Sequence, residues 1–161
     1  MMFRTITRRF SSSVRITNGL PHSLVSARKR GVPIDVHPEV EQALLENQPL
    51  VALETAIVTH GMPYPINLET TASVEQQVRS VGAIPATIGV IEGRVKIGLD
   101  SAQLEHLANV RTNWESVKLS RRDLAAAMAL KKDGGTTCSA TLIIAALAGI
   151  KVSTNIHLHS G

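Results

Sequence analysis

The chain has 161 residues, 43% of them apolar and only 2% aromatic, with 17 Lys and Arg against 13 Asp and Glu. That is the length of one domain with a real core, and a core built from Ala, Val, Ile and Leu favours close-packed helix–sheet layers over an aromatic-rich sandwich. The longest apolar stretch, Ala140 to Ile150, falls short of the roughly 18 residues of a membrane span, and the single Cys138 excludes an internal disulfide framework.

In chain order, the first stretch is set apart by charge. Residues 1–34 carry seven basic residues (Arg4, Arg8, Arg9, Arg15, Arg28, Lys29, Arg30) and no acid, whereas the chain from Asp35 onward carries ten basic against 13 acidic residues. The net charge of +4 is therefore the leader's. A nucleic-acid-binding body would show a basic face interleaved with aromatics; this body does not, and neither a nucleic-acid nor a membrane partner is expected. Residues 1–32 are Arg-rich and Ser-containing, and Phe3, Ile6 and Phe10 form an apolar stripe at helical spacing beside Arg4, Arg8 and Arg9. This composition reads as a mitochondrial transit peptide that packs on nothing; the alternative is a disordered basic tail on a cytoplasmic protein.

The body begins near Gly31-Val32-Pro33, and residues 33–152 read as one domain. His37 to Leu45 is a short helix with Pro38 in its first turn. Val51–Leu53 is the first core strand, and Asn67 is expected to cap a helix running to Arg79. Ile84 to Ile91 is strand-like and turns at Glu92-Gly93 into a hairpin with Val95 to Gly98. Ser101 is expected to cap the helix 102–109, Val117 to Leu119 forms a short strand, and Arg122-Asp123-Leu124 opens a helix reaching about Lys131. A Gly134-Gly135-Thr136-Thr137 turn leads into the helix 138–148, and Lys151-Val152 starts a further strand before a divergent end at residues 153–161. Strands alternating with helices give an α/β fold, a layered α/β/α sandwich with a mixed central sheet left incomplete in this chain.

Three places carry candidate chemistry. Glu54 ends the apolar run Leu50-Val51-Ala52-Leu53. A carboxylate there is expensive to bury unless paired, protonated or used, and desolvation gives a carboxyl the raised pKa of a general acid; the alternative is a Glu at a strand end, salt-bridged or solvated. Lys118, Ser120, Arg121 and Arg122 form a basic group beside a predicted helix start, suited to a phosphate or simply solvated. The Gly134–Thr137 stretch, with exposed N–H groups and two hydroxyls, could bind an anion or serve only as a helix entry. Cys138 reads as a buried, inert thiol, His60 as a structural hydrogen-bonder, and His157 with His159 as a weak two-ligand metal pair.

The segment Leu50 to Pro65, LVALETAIVTHGMPYP, is similar to the pseudouridine-5'-phosphate glycosidase family, also called the indigoidine synthase A-like family. Four further blocks agree in the same order: Pro63 to Glu69, Gly82 to Ile88, Lys118 to Leu124, and Gly134-Gly135-Thr136-Thr137 running to Ala148-Gly149-Ile150-Lys151-Val152. Five ordered blocks over roughly residues 33 to 152 make a specific signal. The resemblance implies reversible cleavage of the C-glycosidic bond of pseudouridine 5'-phosphate to uracil and ribose 5-phosphate. It implies an opened sugar held as a Schiff base on a lysine, which acts as an electron sink. Carried over by position, Glu54 handles the proton steps, Lys118 contacts substrate, and the main chain at Cys138 contacts it too. It further implies manganese as cofactor and a homotrimer. After Val152 the family continues into a glycine-rich segment, whereas this chain reads Ser153-Thr154-Asn155-Ile156-His157-Leu158-His159-Ser160-Gly161. Neither the family's Schiff-base lysine nor its metal aspartate has a counterpart here, so the chain is expected to be inactive as it stands and to supply no metal ligand. The alternative function is a non-catalytic phosphosugar-binding or subunit-interaction fragment.

Overall fold

The computed structural model describes residues 19–109 and 116–154. The first 18 residues, and His157 and His159 with the rest of 155–161, lie outside the described residues. The elements are α1 (His22–Lys29), β1 (Ile34–Val36), α2 (Pro38–Leu45), β2 (Leu50–Leu53), α3 (Ala56–His60), α4 (Ile66–Ser80), β3 (Ile84–Ile91), β4 (Arg94–Ile97), α5 (Ser101–Ala108), β5 (Val117–Leu119), α6 (Leu124–Ala129), β6 (Gly134–Thr136), α7 (Cys138–Ala148) and β7 (Val152–Thr154).

The long strand β3 organises a mixed sheet. Its first half, Ile84 to Thr87, pairs in parallel with β2, which pairs in parallel with β7. Its second half pairs antiparallel with β4, through Ile88↔Ile97 and Val90↔Val95, and antiparallel with β6, through Gly89↔Gly135 and Val90↔Gly134. Parallel neighbours β1 and β5 extend the sheet from β4 and β6. Among the described residues the sheet has seven strands.

Alternation along β3 sorts the layers, because successive side chains leave opposite faces. Ala86, Ile88 and Val90 join one apolar cluster with Leu24 and Ala27 of α1, Val40 and Ala43 of α2, Leu124 and Ala127 of α6, and Ala140, Ile144 and Ala145 of α7. The intervening Thr87 and Gly89 face the other layer: Thr87 Oγ1 donates to Glu75 of α4, and Gly89 packs under Leu107 of α5. A smaller cluster of Val58, Leu104 and Ala108 ties α3 to α5 there. The helix–sheet–helix layering expected from the sequence is what forms. No helix among the described residues is long and apolar enough to cross a membrane.

Several local expectations are corrected. The leader does not stay outside the domain up to residue 32, because Leu24 and Ala27 are 0% and 3% exposed, Ser23 Oγ donates to the Leu147 carbonyl at 2.7 Å, and Arg28 pairs with Glu41 at 2.7 Å. Helix α1 is thus part of the main core. At the other end, Val152 and Ser153 already pair with β2, so the sheet runs two residues past 152. Asn67 lies inside α4, where its Nδ2 donates to the carbonyls of Val58 and Ala108 and staples α3 to α5. The cap of α5 is Asp100, not Ser101: its carboxylate accepts from Gln103 N–H while Gln103 Oε1 accepts from Asp100 N–H, a reciprocal capping box. The apolar pair Ile57-Val58 belongs to the short helix α3, and Gly134 to Thr136 is a fully buried strand, not a turn.

Candidate functional site

The site is set by how three strands end. Strands β2 and β6 run toward each other along β3, β2 covering Ile84 to Thr87 and β6 covering Gly89 and Val90, so their C-terminal ends meet at Ile88. Strand β5, parallel to β6, ends alongside them. Ligands of α/β sheets bind outside the carboxyl ends of strands, and here those ends converge.

A buried threonine network makes the junction rigid. Thr55 Oγ1 donates to the Ile88 carbonyl at 2.7 Å and accepts the Thr136 N–H at 3.0 Å. Thr136 Oγ1 donates to the same carbonyl at 2.7 Å and accepts from Thr141 Oγ1 of α7 at 3.0 Å. The Thr55 N–H donates to the Thr136 carbonyl at 3.1 Å, joining the two strand ends directly. All three threonines are at 0% exposure, and each hydroxyl is engaged, as burial requires.

The glycines of β6 serve close approach. A Cβ on Gly135 would stand 2.3 Å from Thr59 Oγ1 and 2.6 Å from the Thr55 carbonyl, and one on Gly134 would stand 2.5 Å from the Val117 carbonyl. Only glycine lets α3 lie on β6 and β5 lie beside it.

From this junction the chain presents Glu54 just past β2, Ala56, Ile57, His60 and Gly61 on and after α3, Lys118 in β5, and Thr137 and Cys138 at the start of α7. They line one cavity of about 390 Å³. The sequence-expected site residues Glu54, Lys118 and Cys138 are therefore brought together from three separate segments. Glu54 is half-buried at the strand end and not in its interior. Lys118 is exposed along the strand. Cys138 is a free, exposed thiol at the first position of α7, which corrects the expectation of a buried one. Arg121 and Arg122 are exposed and do not line this cavity. Between Ser120 and α6 the loop is closed by Asp123, whose carboxylate accepts from Ser120 N–H at 2.8 Å and Ser120 Oγ at 2.5 Å.

His60 was not singled out for a site role in the sequence, yet it lines both this cavity and an adjoining one of about 380 Å³ bounded by Thr59, Met62, Pro63, Tyr64 and Ala108. Partial burial, and then the charge of Lys118, hold its imidazole pKa below the ordinary value. The signal for it was the His-Gly pair six residues beyond the only carboxylate of the apolar run.

The anion-binding reading of Gly134 and Gly135 is also corrected, since their backbone is spent in the ladders to β3 and β5. The groups left to face an anion are those at the N-terminus of α7, whose N-cap Thr137 makes no side-chain cap bond. No group of three or more His, Cys, Asp or Glu side chains gathers among the described residues. The cavity's Glu54, His60 and Cys138 do not form such a group, and with a single carboxylate among them they do not fit a manganese site, which takes several oxygen ligands. A larger cavity of about 510 Å³ lies elsewhere, walled by Pro21, Ala43, Leu44, Leu50, Ile150 and Val152. It lacks convergent charge and stands at the N-terminal end of β2, away from the strand ends just described.

Comparison with known proteins identifies the family. The sequence model of the indigoidine synthase A like protein family matches residues 39–156. A pseudouridine-5'-phosphate glycosidase of Paracoccus denitrificans is 56% identical over 119 residues, 74% of this chain and 39% of that protein. One of Staphylococcus aureus is 54% identical over 118 residues, 73% of this chain and 38% of that protein. Among solved structures, the prealnumycin C-glycosynthase AlnA, in complex with ribulose 5-phosphate, superposes with a TM-score of 0.65 at 38% identity, covering 74% of this chain and 37% of that one. An indigoidine synthase A-like protein of Thermotoga maritima gives a TM-score of 0.65 at 27% identity, covering 76% of this chain and 38% of that one. The chain thus spans about two fifths of the length of the curated relatives it matches, and it belongs to the indigoidine synthase A-like family.

Proposed function

We propose that this chain carries the N-terminal, phosphosugar-gripping and proton-transfer portion of a pseudouridine-5'-phosphate glycosidase. The observation that carries the reading is the convergence of Glu54, Lys118 and the N-terminus of α7 at Cys138 on one cavity where β2, β5 and β6 end.

The roles follow from donor and acceptor chemistry. Lys118 offers an ammonium with three donors and no acceptor, and the first N–H groups of α7 point outward from the helix start. Together they suit the dianionic phosphate of a sugar phosphate, each charge-assisted bond contributing about 1.5–3 kcal/mol. Cys138 contributes its backbone position, not its thiol. Glu54, half-buried beside apolar Ala56 and Ile57, is placed to give and take a proton at the sugar as the C–C bond to uracil breaks or forms. A covalent lysine would form the iminium with the opened sugar and release it by hydrolysis. In our reading that lysine and the manganese ligands come from the part of the family's length that the chain does not match. Lys151 does not replace the lysine, because it flanks the other, larger cavity. The homotrimer is likewise a property we assign only to the complete family architecture.

The test uses a longer form that spans the relatives' full length. Glu54→Gln is expected to lower uracil release from pseudouridine 5'-phosphate by about 10² to 10⁴, the range for loss of an acid–base group, while ribose 5-phosphate still binds. Turnover within a few-fold of the parent would remove Glu54 from the chemistry. The 161-residue chain is expected to bind ribose 5-phosphate without releasing uracil.

A further inference from the structure

His60 stands on the ridge between two adjoining cavities, the one holding Glu54 and Lys118 and the one bounded by Met62, Pro63 and Tyr64. A ligand anchored at Lys118 shares its cavity with this ring.

The ring's hydrogen bonds decide what it offers. Thr59 Oγ1 lies 2.7 Å from His60 Nδ1. The Thr59 hydroxyl also reaches back along α3 to the carbonyls of Thr55 at 3.3 Å and Ala56 at 3.4 Å. The 2.7 Å contact admits either direction; carbonyl oxygens only accept, and when the hydroxyl's single proton goes to one of them, as threonine in helices commonly does, Nδ1–H is left as the donor between the two side chains. The hydroxyl oxygen then accepts from Nδ1–H. Thr59 cannot turn away, because it is 5% exposed and pressed against the Gly135 backbone, where even a methyl would come within 2.3 Å. With Nδ1 carrying the proton, Nε2 of a neutral ring is a bare acceptor. Partial burial and the nearby Lys118 charge both favour that neutral ring.

Lys118 has no lone pair to offer a hydroxyl. Glu54 has lone pairs, but a carboxylate set against a phosphate is repelled by it. A neutral imidazole accepts a hydroxyl proton without that repulsion.

We propose that His60 reads the sugar: its Nε2 accepts a hydrogen bond from a hydroxyl of a pentose phosphate whose phosphate is held at Lys118. This rests on the phosphosugar reading of the cavity and adds to it a specificity-determining contact.

The experiment is run on the 161-residue chain with ribose 5-phosphate and inorganic phosphate as probes. Long-range ¹H–¹⁵N spectra at neutral pH are expected to show Nε2 of His60 unprotonated in the free chain. Ribose 5-phosphate should move that resonance and inorganic phosphate should not. In titration calorimetry, His60→Phe is expected to weaken ribose 5-phosphate about 3- to 10-fold, the worth of one neutral hydrogen bond, with inorganic phosphate affected less than twofold. His60→Gln, which keeps an acceptor near the Nε2 position, should recover part of the loss. A protonated Nε2 in the free chain, or equal affinity of parent and His60→Phe for ribose 5-phosphate, overturns the assignment. If ribose 5-phosphate binds, is lost with Lys118→Met and ignores His60→Phe, the phosphosugar reading stands and the His60 contact falls. If neither probe binds the parent chain, both fall together. The spectra on the parent chain decide the matter even if a variant does not fold.

Discussion

Gly135→Ala is the substitution whose consequence the structure specifies most fully. The added methyl would stand 2.3 Å from Thr59 Oγ1, 2.6 Å from the Thr55 carbonyl oxygen and 2.9 Å from the Thr55 carbonyl carbon. Ordinary contacts begin near 3.5 Å, so α3 and β6 have to part by about 1 Å, and the second and third contacts are backbone that no rotamer change relieves. Overpacking of this kind costs about 1–3 kcal/mol. Separation also stretches the bonds between the strand ends, Thr55 N–H to the Thr136 carbonyl at 3.1 Å and Thr136 N–H to Thr55 Oγ1 at 3.0 Å, each worth about 1 kcal/mol. The expected loss is about 3–5 kcal/mol, a large share of the roughly 5–15 kcal/mol that holds an ordinary domain. Urea unfolding followed by circular dichroism measures it, with the denaturant slope checked for constancy. Gly19→Ala is the control, since a methyl there meets nothing within 4 Å, and it should stay within about 0.5 kcal/mol of the parent. If Gly135→Ala unfolds at the parent's urea concentration, the close approach of α3 to β6 is not what holds the site, and the reasoning fails.

Two further outcomes follow from the same junction and from the far edge of the sheet. Thr55→Val removes the acceptor of the buried Thr136 N–H while keeping the shape, and should destabilise the chain by about 1–3 kcal/mol in the same urea assay, whereas Thr55→Ser, which keeps the hydroxyl, should cost less; equal losses would discount the hydrogen bonds. At the other edge, the paired hydrogen bonds from Arg94, and then the one from Lys96, outweigh partial burial and hold the Asp35 carboxyl well below its ordinary pKa. A carboxyl lowered by folding contributes stability that is present above its unfolded value near 4 and fades as pH falls toward the folded one. Stability measured from pH 5 down to pH 2 should therefore decline less steeply in Asp35→Asn than in the parent. With Arg94 and Asp35 side chains 48% and 37% exposed, the difference should be at most about 1 kcal/mol and shrink in added salt; identical acid profiles would contradict it.

The apolar runs were legible because their period is short and their bounds are Gly and Pro: β2, β3 and the helices α2, α4 and α7 lie close to where the residue pattern puts them. The failures have physical causes. Helix α1 hides in a basic, acid-free stretch, since Leu24 and Ala27 alone are buried and its remaining positions look like leader. Gly134 and Gly135 suggest a turn because glycine usually serves positive φ, whereas here it serves a close helix–strand approach that only tertiary contact reveals. Asp100 outcompetes Ser101 because the capping box needs the residue three before Gln103. Glu54, Lys118 and Cys138 could be named from family-like blocks, but their meeting in one cavity depends on β2 and β6 running head-on along β3, which no local pattern encodes. His60 reads from sequence only as a structural hydrogen-bonder, since a lone histidine carries no spacing signal; its value comes from Thr59 and Lys118, the second of them 58 residues away in sequence.

The account stands on one cavity being the phosphosugar site, and backbone amide shifts in an NMR titration with ribose 5-phosphate test that most directly. The amides of Glu54, His60, Lys118, Thr137 and Cys138 are expected to move together and to saturate with one affinity, while those of Ala43, Leu44, Leu50 and Ile150 around the larger cavity stay still. Shifts centred on the larger cavity, or none at Lys118 and Cys138, would contradict it.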